Sequence, residues 1–374
     1  MAKFDSKSFN PQAFGKYVDR IPNVKKNELA KSGAVGANAQ ARASLANQTG
    51  SLYTRVPYFG RISGDTSQNN DGATNIASSN TTTFEQGFVT ASRMDGWTER
   101  SFSKSITAGV DFMDNVAAQI SDYKYEVKQT MLLAILKGVF GMTTTGGTGE
   151  TKIANTAAAE FISKHTYDIT ANEGENAFVG PTTLNKAIQR ACGDNKSIFK
   201  LVICHSEVAT NLENLKLIKY MTYTDKDGIE RDLTLGTWNG RLVLIDDSMP
   251  TEEVEATAGS GTEGEADYVA PTEAYTKYTT YVLGKDSIIL DDIGDAKPYE
   301  MYRDPAKNGG EDTLYVRDRY ICGVDGISFE KPASITASAS NTDLETGTNW
   351  KIIHNDKEAI SHKAIAIARI ISRG

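Results

Sequence analysis

The chain has 374 residues, 40 Lys and Arg against 48 Asp and Glu, and a formal charge of −8 with 39% hydrophobic residues. That is length for two domains, or for one with long excursions, and core enough to fold without disulfide or metal staples. Cys192, Cys204 and Cys322 stand far apart with no C-x-x-C pair, which excludes a disulfide framework or zinc knuckle and points to a reducing compartment.

The first segment, MAKFDSKSFNPQAFGKY, is polar and charged, so neither a signal peptide nor a lipid anchor is expected. Residues 1–55 carry nine Lys or Arg against three Asp or Glu, a local +6 that leaves −14 for the remainder. GAVGANAQARASLANQTGS is too poor in large apolar residues to fold alone. Residues 1–51 therefore read as a basic arm, and Phe4, Phe9, Phe14 and Tyr17 give it aromatic anchors for docking on another surface.

From residue 52 the pattern turns to strands. Pro57 biases Val56 to extended backbone, and GDTSQNNDGATN is a loop of turn formers. Its Ser67, Asn69, Asp71 and Gly72 fall on calcium-loop spacing, but Ser78 stands where a bidentate Glu is needed, so no EF-hand is expected. Asp95-Gly96 between the extended runs TTTFEQGFVTASR and GWTERSFSK predicts a hairpin turn. Such a ribbon, poor in aliphatic residues, has no core of its own and must lean on something.

Residues 111–141 hold the one long helical period. Met113, Val116, Ile120, Tyr123, Val127, Met131 and Ile135 recur at three- and four-residue steps on one face. Asp111 is placed to cap the first turn and Gly141 to take a left-handed stop. Lys124, Lys128 and Lys137 interrupt the apolar run, so a membrane span is excluded by length. TTTGGTGETK is a connector, since no Gly-Lys-Ser/Thr opens a helix there.

GPTTLNKAIQRACGD predicts a helix ending at Gly193, FKLVICHS a buried strand, and SEVATNLENLKLIKYM a helix starting at Ser206. Asn239-Gly240 marks a hairpin. Residues 242–276 contain nine acidic residues and no basic one, which reads as a solvated loop. YTKYTTYVLGKDSIIL is strand, turn and strand, and GEDTLYVRDRYICGVDGISFEK alternates like long antiparallel strands. The isoleucines of KEAISHKAIAIARIIS fit both helix and strand periods. Mixed elements of this kind make an α+β or α/β domain.

No catalytic constellation stands out. His165, His205, His354 and His362 lie in separate segments without metal spacing, and neither a G-x-S-x-G elbow nor a dinucleotide fingerprint occurs. His205-Ser206 reads as a polar strand end, and Asp246-Asp247 and Asp291-Asp292 as turn residues. Neither a cofactor nor a metal is expected.

The element order, together with YVDRIPNVKKNELAKSG, RVPYFGRISGD with NNDGATNI, KSIFKLVICHSEVATNLENL, LVLIDDSMP and YTTYVLGKDSIIL, resembles the major capsid proteins of tailed bacteriophages, the fold known by the phage Hong Kong ninety-seven. The phrases are similar to one capsid lineage of Firmicutes phages. The resemblance implies an α+β subunit: an N-terminal arm (1–51), an extended-loop β-hairpin (52–105), a peripheral domain with the long spine helix (106–180), a mixed α/β axial domain (181–295), and returning peripheral strands with the C-terminus (296–374). It implies a non-enzymatic coat protein that forms hexamers and pentamers of an icosahedral head around double-stranded DNA. The shell would be assembled in the host cytoplasm and end in the virion, with a portal protein, a decoration protein and no membrane as its setting.

Interface anchors expected on that reading are Phe9, Phe14 and Tyr17 of the arm and Phe88, Met94, Trp97, Arg100 and Phe102 of the hairpin, because aromatics and Met bury large areas. Lys16, Arg20, Lys25, Lys26 and Lys31 form the interior basic arm. Two departures from the family matter. Fewer than about 60 residues precede the hairpin, which favours a separate scaffolding protein over a cleaved domain, and no Lys occurs between Ser51 and Ser103, which argues against loop crosslinking. A protein-filled nanocompartment of the same shell fold, or an enzyme with an undisclosed pocket, are the alternatives.

Overall fold

A computed structural model describes residues 32–46, 52–60, 67–76, 78, 81–100, 112–224, 230–259 and 272–374. In chain order these form β1 (Val35–Gly36), α1 (Ala39–Leu45), β2 (Tyr53–Phe59), β3 (Thr83–Arg100), α2 (Phe112–Phe140), α3 (Glu150–His165) and β4 (Thr166–Asp168). Next come α4 (Thr183–Cys192), β5 (Phe199–Cys204), α5 (Ser206–Asn214), β6 (Ile218–Thr224), β7 (Glu230–Trp238), β8 (Arg241–Ile245), β9 (Thr251–Val254) and β10 (Tyr275–Gly284). The last are β11 (Ile288–Asp292), β12 (Tyr299–Asp304), β13 (Glu311–Val324), β14 (Ile327–Phe329), α6 (Asn341–Glu345), β15 (Trp350–Ile352) and β16 (Ile367–Ser372). The α+β fold class is as expected.

Two sheets organise these elements. In the first, β13 is the trunk: β3 runs along it from Arg100 opposite Glu311 to Val89 opposite Cys322, while β11 and β12 also pair with it. The second runs β4-β16-β10-β5-β8-β7-β6, with β9 added to β10. Strand alternation sends side chains to both faces of each sheet, and three apolar clusters result. Val89, Cys322 and Phe329 of the first sheet and Leu201, Ile203 and Tyr281 of the second sandwich Met131, Ile135 and Phe140 of α2 and Phe161 of α3. Val202, Val243, Val282 and Ile370 turn the other way onto α4 and α5. Phe88, Ile289 and Ile321 lie under Ala41 and Leu45 of α1.

Helix α2 fills the expected span and at about 1.5 Å per residue is roughly 43 Å long. It ends without a left-handed residue at Gly141, whose amide bonds the Gly138 carbonyl at 3.0 Å. Helix α4 does stop at a left-handed Gly193, with φ 63°. The Asn239-Gly240 turn, with φ of 49° and 76°, joins β7 to β8 as the sequence predicts.

Four expectations change. Asp95-Gly96 makes no turn: β3 passes straight through it, with Asp95 opposite Val316 and Gly96 opposite Tyr315. A partner more than two hundred residues away satisfies the backbone there, so the local turn preference loses. The hairpin is instead β2 with β3, paired from Tyr53–Val89 to Phe59–Thr83. Beyond the connector, α3 is a helix whose small, polar composition hid it. Helix α5 ends at Asn214, and the following segment becomes β6 because it pairs with β7. Finally, β16 is a strand of the second sheet, hydrogen-bonded between β10 and β4, rather than a return to the first.

Candidate assembly surface

Beyond the reach of α1 and the central core, β3, β13 and β12 continue as a three-stranded ribbon. Residues directly opposite one another share a face. Asp95, Trp97 and Glu99 therefore point with Val316, Leu314 and Asp312, and with Tyr299, Met301 and Arg303, toward α2. There the half-buried Trp97 meets Tyr123 edge-to-face with ring centroids 5.1 Å apart, and the Tyr123 hydroxyl donates to the Asp95 carboxylate. Burial, followed by that hydrogen bond, raises the Tyr123 pKa well above its ordinary value.

Deeper on this face Lys124 Nζ donates to Asp318 Oδ1 at 2.7 Å, with side chains only 16% and 8% exposed. The ammonium also lies 4.7 Å from the centre of the Tyr299 ring. Burial holds the Asp318 carboxyl above the usual range despite the ammonium beside it. On Lys124 burial works against the charge, but the facing carboxylate prevails and raises its pKa. Toward the core, Lys128 approaches Asp292 at 3.8 Å and Arg42 of α1 bonds Asp291 at 3.1 Å. Asp291 and Asp292 are thus strand residues tied to two helices, not the turn pair read from sequence.

Among the described residues, no element covers the opposite face of the ribbon. It presents Met94, Tyr302 and Tyr315, exposed to 80%, 56% and 38%, with Arg317 and Glu300 paired at 3.1 Å between them. Gly96 makes room for Tyr315: a Cβ there would lie 3.1 Å from the ring. Arg100, opposite Glu311, extends the same face. Large apolar side chains grouped on one sheet face mark an interaction surface.

The expected anchors therefore separate. Met94 and Arg100 lie on the uncovered face. Trp97 packs on the chain's own helix, and Phe88 is fully buried beneath α1, so its ring is spent inside the subunit. Phe9, Phe14, Tyr17, Phe102 and the basic residues Lys16, Arg20, Lys25, Lys26 and Lys31 lie outside the described residues. Tyr302 and Tyr315 share a face with Met94 only through strand pairing; the signal the sequence carries for them is their alternation in EMYRD and TLYVRD.

No competing chemical site assembles among the described residues. His205 caps α5 by accepting from the Glu207 amide at 3.1 Å, and Asp246 accepts from the Ser248 amide at 2.9 Å in a turn. Among the described residues no three His, Cys, Asp or Glu side chains are grouped to hold a metal ion, and no helix is long and apolar enough to cross a membrane.

Comparison with known proteins gives a match over nearly the whole chain. The chain is 20% identical over 350 residues, 93% of each chain, to the major capsid protein of Bacillus phage SPP1. The chain is similar to a phage major capsid protein along nearly its whole length. It is a capsid shell subunit, and its place is the virion. No family model matches it. Among solved structures, the capsid of Ralstonia phage GP4 is similar at 10% identity and TM-score 0.48, covering 86% of this chain and 83% of that one. The Cyanophage Pam1 capsid is similar at 12% and 0.46, covering 88% of each.

Proposed function

We propose that this capsid subunit closes into hexamers and pentamers of an icosahedral head around double-stranded DNA, with no catalytic role. The observation that carries the proposal is the uncovered ribbon face of Met94, Tyr302 and Tyr315, which no element of the described chain packs against. A heterologous contact that closes into rings of six and five needs one such face and one complementary surface on the next copy. Weak contacts suffice, because a closed shell repeats each of them many times.

The basic arm faces inward in this reading. Its Lys16, Arg20, Lys25, Lys26 and Lys31 serve first an acidic scaffolding protein and later the genome, since lysines near phosphates release counterions without reading bases. The net −14 of the remainder keeps the rest of the wall from adhering to DNA, and the acidic stretch at 251–267 faces away from it. Assembly takes place in the host cytoplasm, around a portal protein and with a separate scaffold; a decoration protein binds from outside. Without a lysine between Ser51 and Ser103, mature shells hold together without loop crosslinks.

Full-length protein and a variant lacking residues 1–31, which keeps β1 and α1, each co-expressed with the phage's scaffolding protein, provide the test. Negative-stain imaging should show uniform heads for the full chain and no correctly sized particles for the truncation, whose second sheet remains folded. Normal DNA-filled heads from the truncated chain would overturn the inward arm. Particles filled with protein and lacking 260 nm absorption would overturn the genome-shell reading.

A further inference from the structure

Helix α3 is joined to the C-terminal segment through two histidines. His165, the buried last residue of α3, has Nδ1 at 2.6 Å from the Ile367 carbonyl oxygen of β16. Its Nε2 faces Nδ1 of His362 at 3.1 Å, and His362 Nε2 stands 3.4 Å from Glu160 Oε1. The two rings meet edge-to-face with centroids 5.3 Å apart, and Phe161 stacks on His165 at 4.4 Å.

Counting protons shows what this arrangement demands. A carbonyl stands at one end of the relay and a carboxylate at the other, and both only accept. Each outer ring nitrogen must therefore carry hydrogen, and the contact between the rings needs one more. Three bonds take three ring protons, whereas two neutral imidazoles own two. One added proton completes the relay, on His362 where Glu160 faces it at 3.4 Å; with both rings neutral one of the three contacts lacks its hydrogen. A further proton sets N–H against N–H across 3.1 Å.

We propose that the His165–His362 pair is an acid-released clasp: it accepts one proton and stays shut, and a second proton on His165 parts α3 from β16 and loosens the C-terminal strand. Sheet pairing holds β16 on both sides, so release acts on the seam with α3 before it acts on the ladder.

The surroundings set the direction. Around His362, burial opposes a proton most strongly, Glu160 favours one, and Lys363 of its own turn and Lys164 of α3 oppose it, so its pKa lies below the ordinary value. From α4 come the Ala191 carbonyl and the buried thiol of Cys192, pushed up to about 11 by burial and hence uncharged. From β16, Arg369 lies over the Phe140 ring at 4.4 Å. Burial, reinforced by the facing His362, pushes His165 down to about 4 from an ordinary 6.5. Unfolded or opened chain therefore takes up a proton that closed His165 refuses. Through His165 alone, the closed form is favoured above about pH 6.5 and that contribution is lost as pH falls toward 4, by up to about tenfold per pH unit in the closed-to-open ratio.

Hydrogen exchange on soluble full-length subunit tests this between pH 7.5 and 4.5, corrected for intrinsic exchange. Peptides covering 160–168 and 362–372 should lose protection below about pH 6 with a slope approaching tenfold per unit, and regain it on return to pH 7.5. His165→Asn keeps a donor for the Ile367 carbonyl but does not titrate, so its protection should be flat. His362→Asn keeps a donor for His165 but removes the ring that reinforces its shift, so its loss of protection should persist, with burial of His165 alone setting it. Protection independent of pH in the wild type, or an equal loss in His165→Asn, overturns the proposal. Should His165→Asn fail to fold, ring-labelled wild type decides. One of the four histidine signals must remain neutral with its proton on Nδ1 to below about pH 5; four signals titrating near 6.5 refute the clasp.

Discussion

Replacing Gly138 by Ala should destabilise the subunit, against the usual sign for a helix interior. Ala is the better helix former by about 1 kcal/mol, and Gly138 sits two residues before the end of α2 in regular helix. The tertiary contact opposes that gain. A Cβ at Gly138 would stand 2.5 Å from Trp350 Nε1 and even nearer the Leu344 carbonyl oxygen, at the point where that nitrogen donates to that carbonyl at 2.7 Å. Trp350 and Leu344 are fully buried, so neither can swing away. Overpacking costs about 1–3 kcal/mol, and breaking the buried indole bond costs about 1–3 kcal/mol more. After subtracting the propensity gain the net loss is about 1–5 kcal/mol, a fall in Tm of roughly 2–10 °C at about 2 °C per kcal/mol. Thermal melting of soluble full-length Gly138→Ala against wild type measures it. A Tm that rises would show that helix propensity outweighs the close approach of α6 and β15, and would refute the reasoning.

Other consequences are as direct. Lys124→Met should cost about 3–5 kcal/mol by stranding Asp318, whereas Lys124→Met with Asp318→Leu should recover most of it; equal losses in single and double variants by urea melts would deny the pair its role. Met94→Glu should leave the subunit's melting within about 0.5 kcal/mol of wild type while sharply lowering particle yield in sedimentation; normal yield would show the ribbon face to be idle. Asn239→Val places a β-branched residue at φ 49° and should cost about 1–2 kcal/mol, with Asn239→Gly close to neutral in the same melt. Boiled, reduced particles should give a single gel band at the subunit mass of 40.6 kDa, and a ladder of multimers would contradict the inference from the missing loop lysine.

Features whose cause is local could be read from residues alone. The apolar period of α2, the left-handed Gly193 that stops α4 and the Asn239-Gly240 turn each depend on neighbours within a few positions, and each appears where its residues predict. The phrases that mark the capsid family were legible for the same reason. The assembly face was half legible: Met94 and Arg100 could be named, but Tyr302 and Tyr315 join them only through the register of β12 and β13 with β3. The tertiary structure alone decided the other features. Asp95-Gly96 is a turn signal overruled by a twelve-pair ladder, Phe88 is taken into the core by α1, and the isoleucines of the C-terminus become a strand because β10 and β4 flank them. In each case the local preference is about 1 kcal/mol, while a satisfied ladder and a buried aromatic ring are worth several times that, so the distant partner decides.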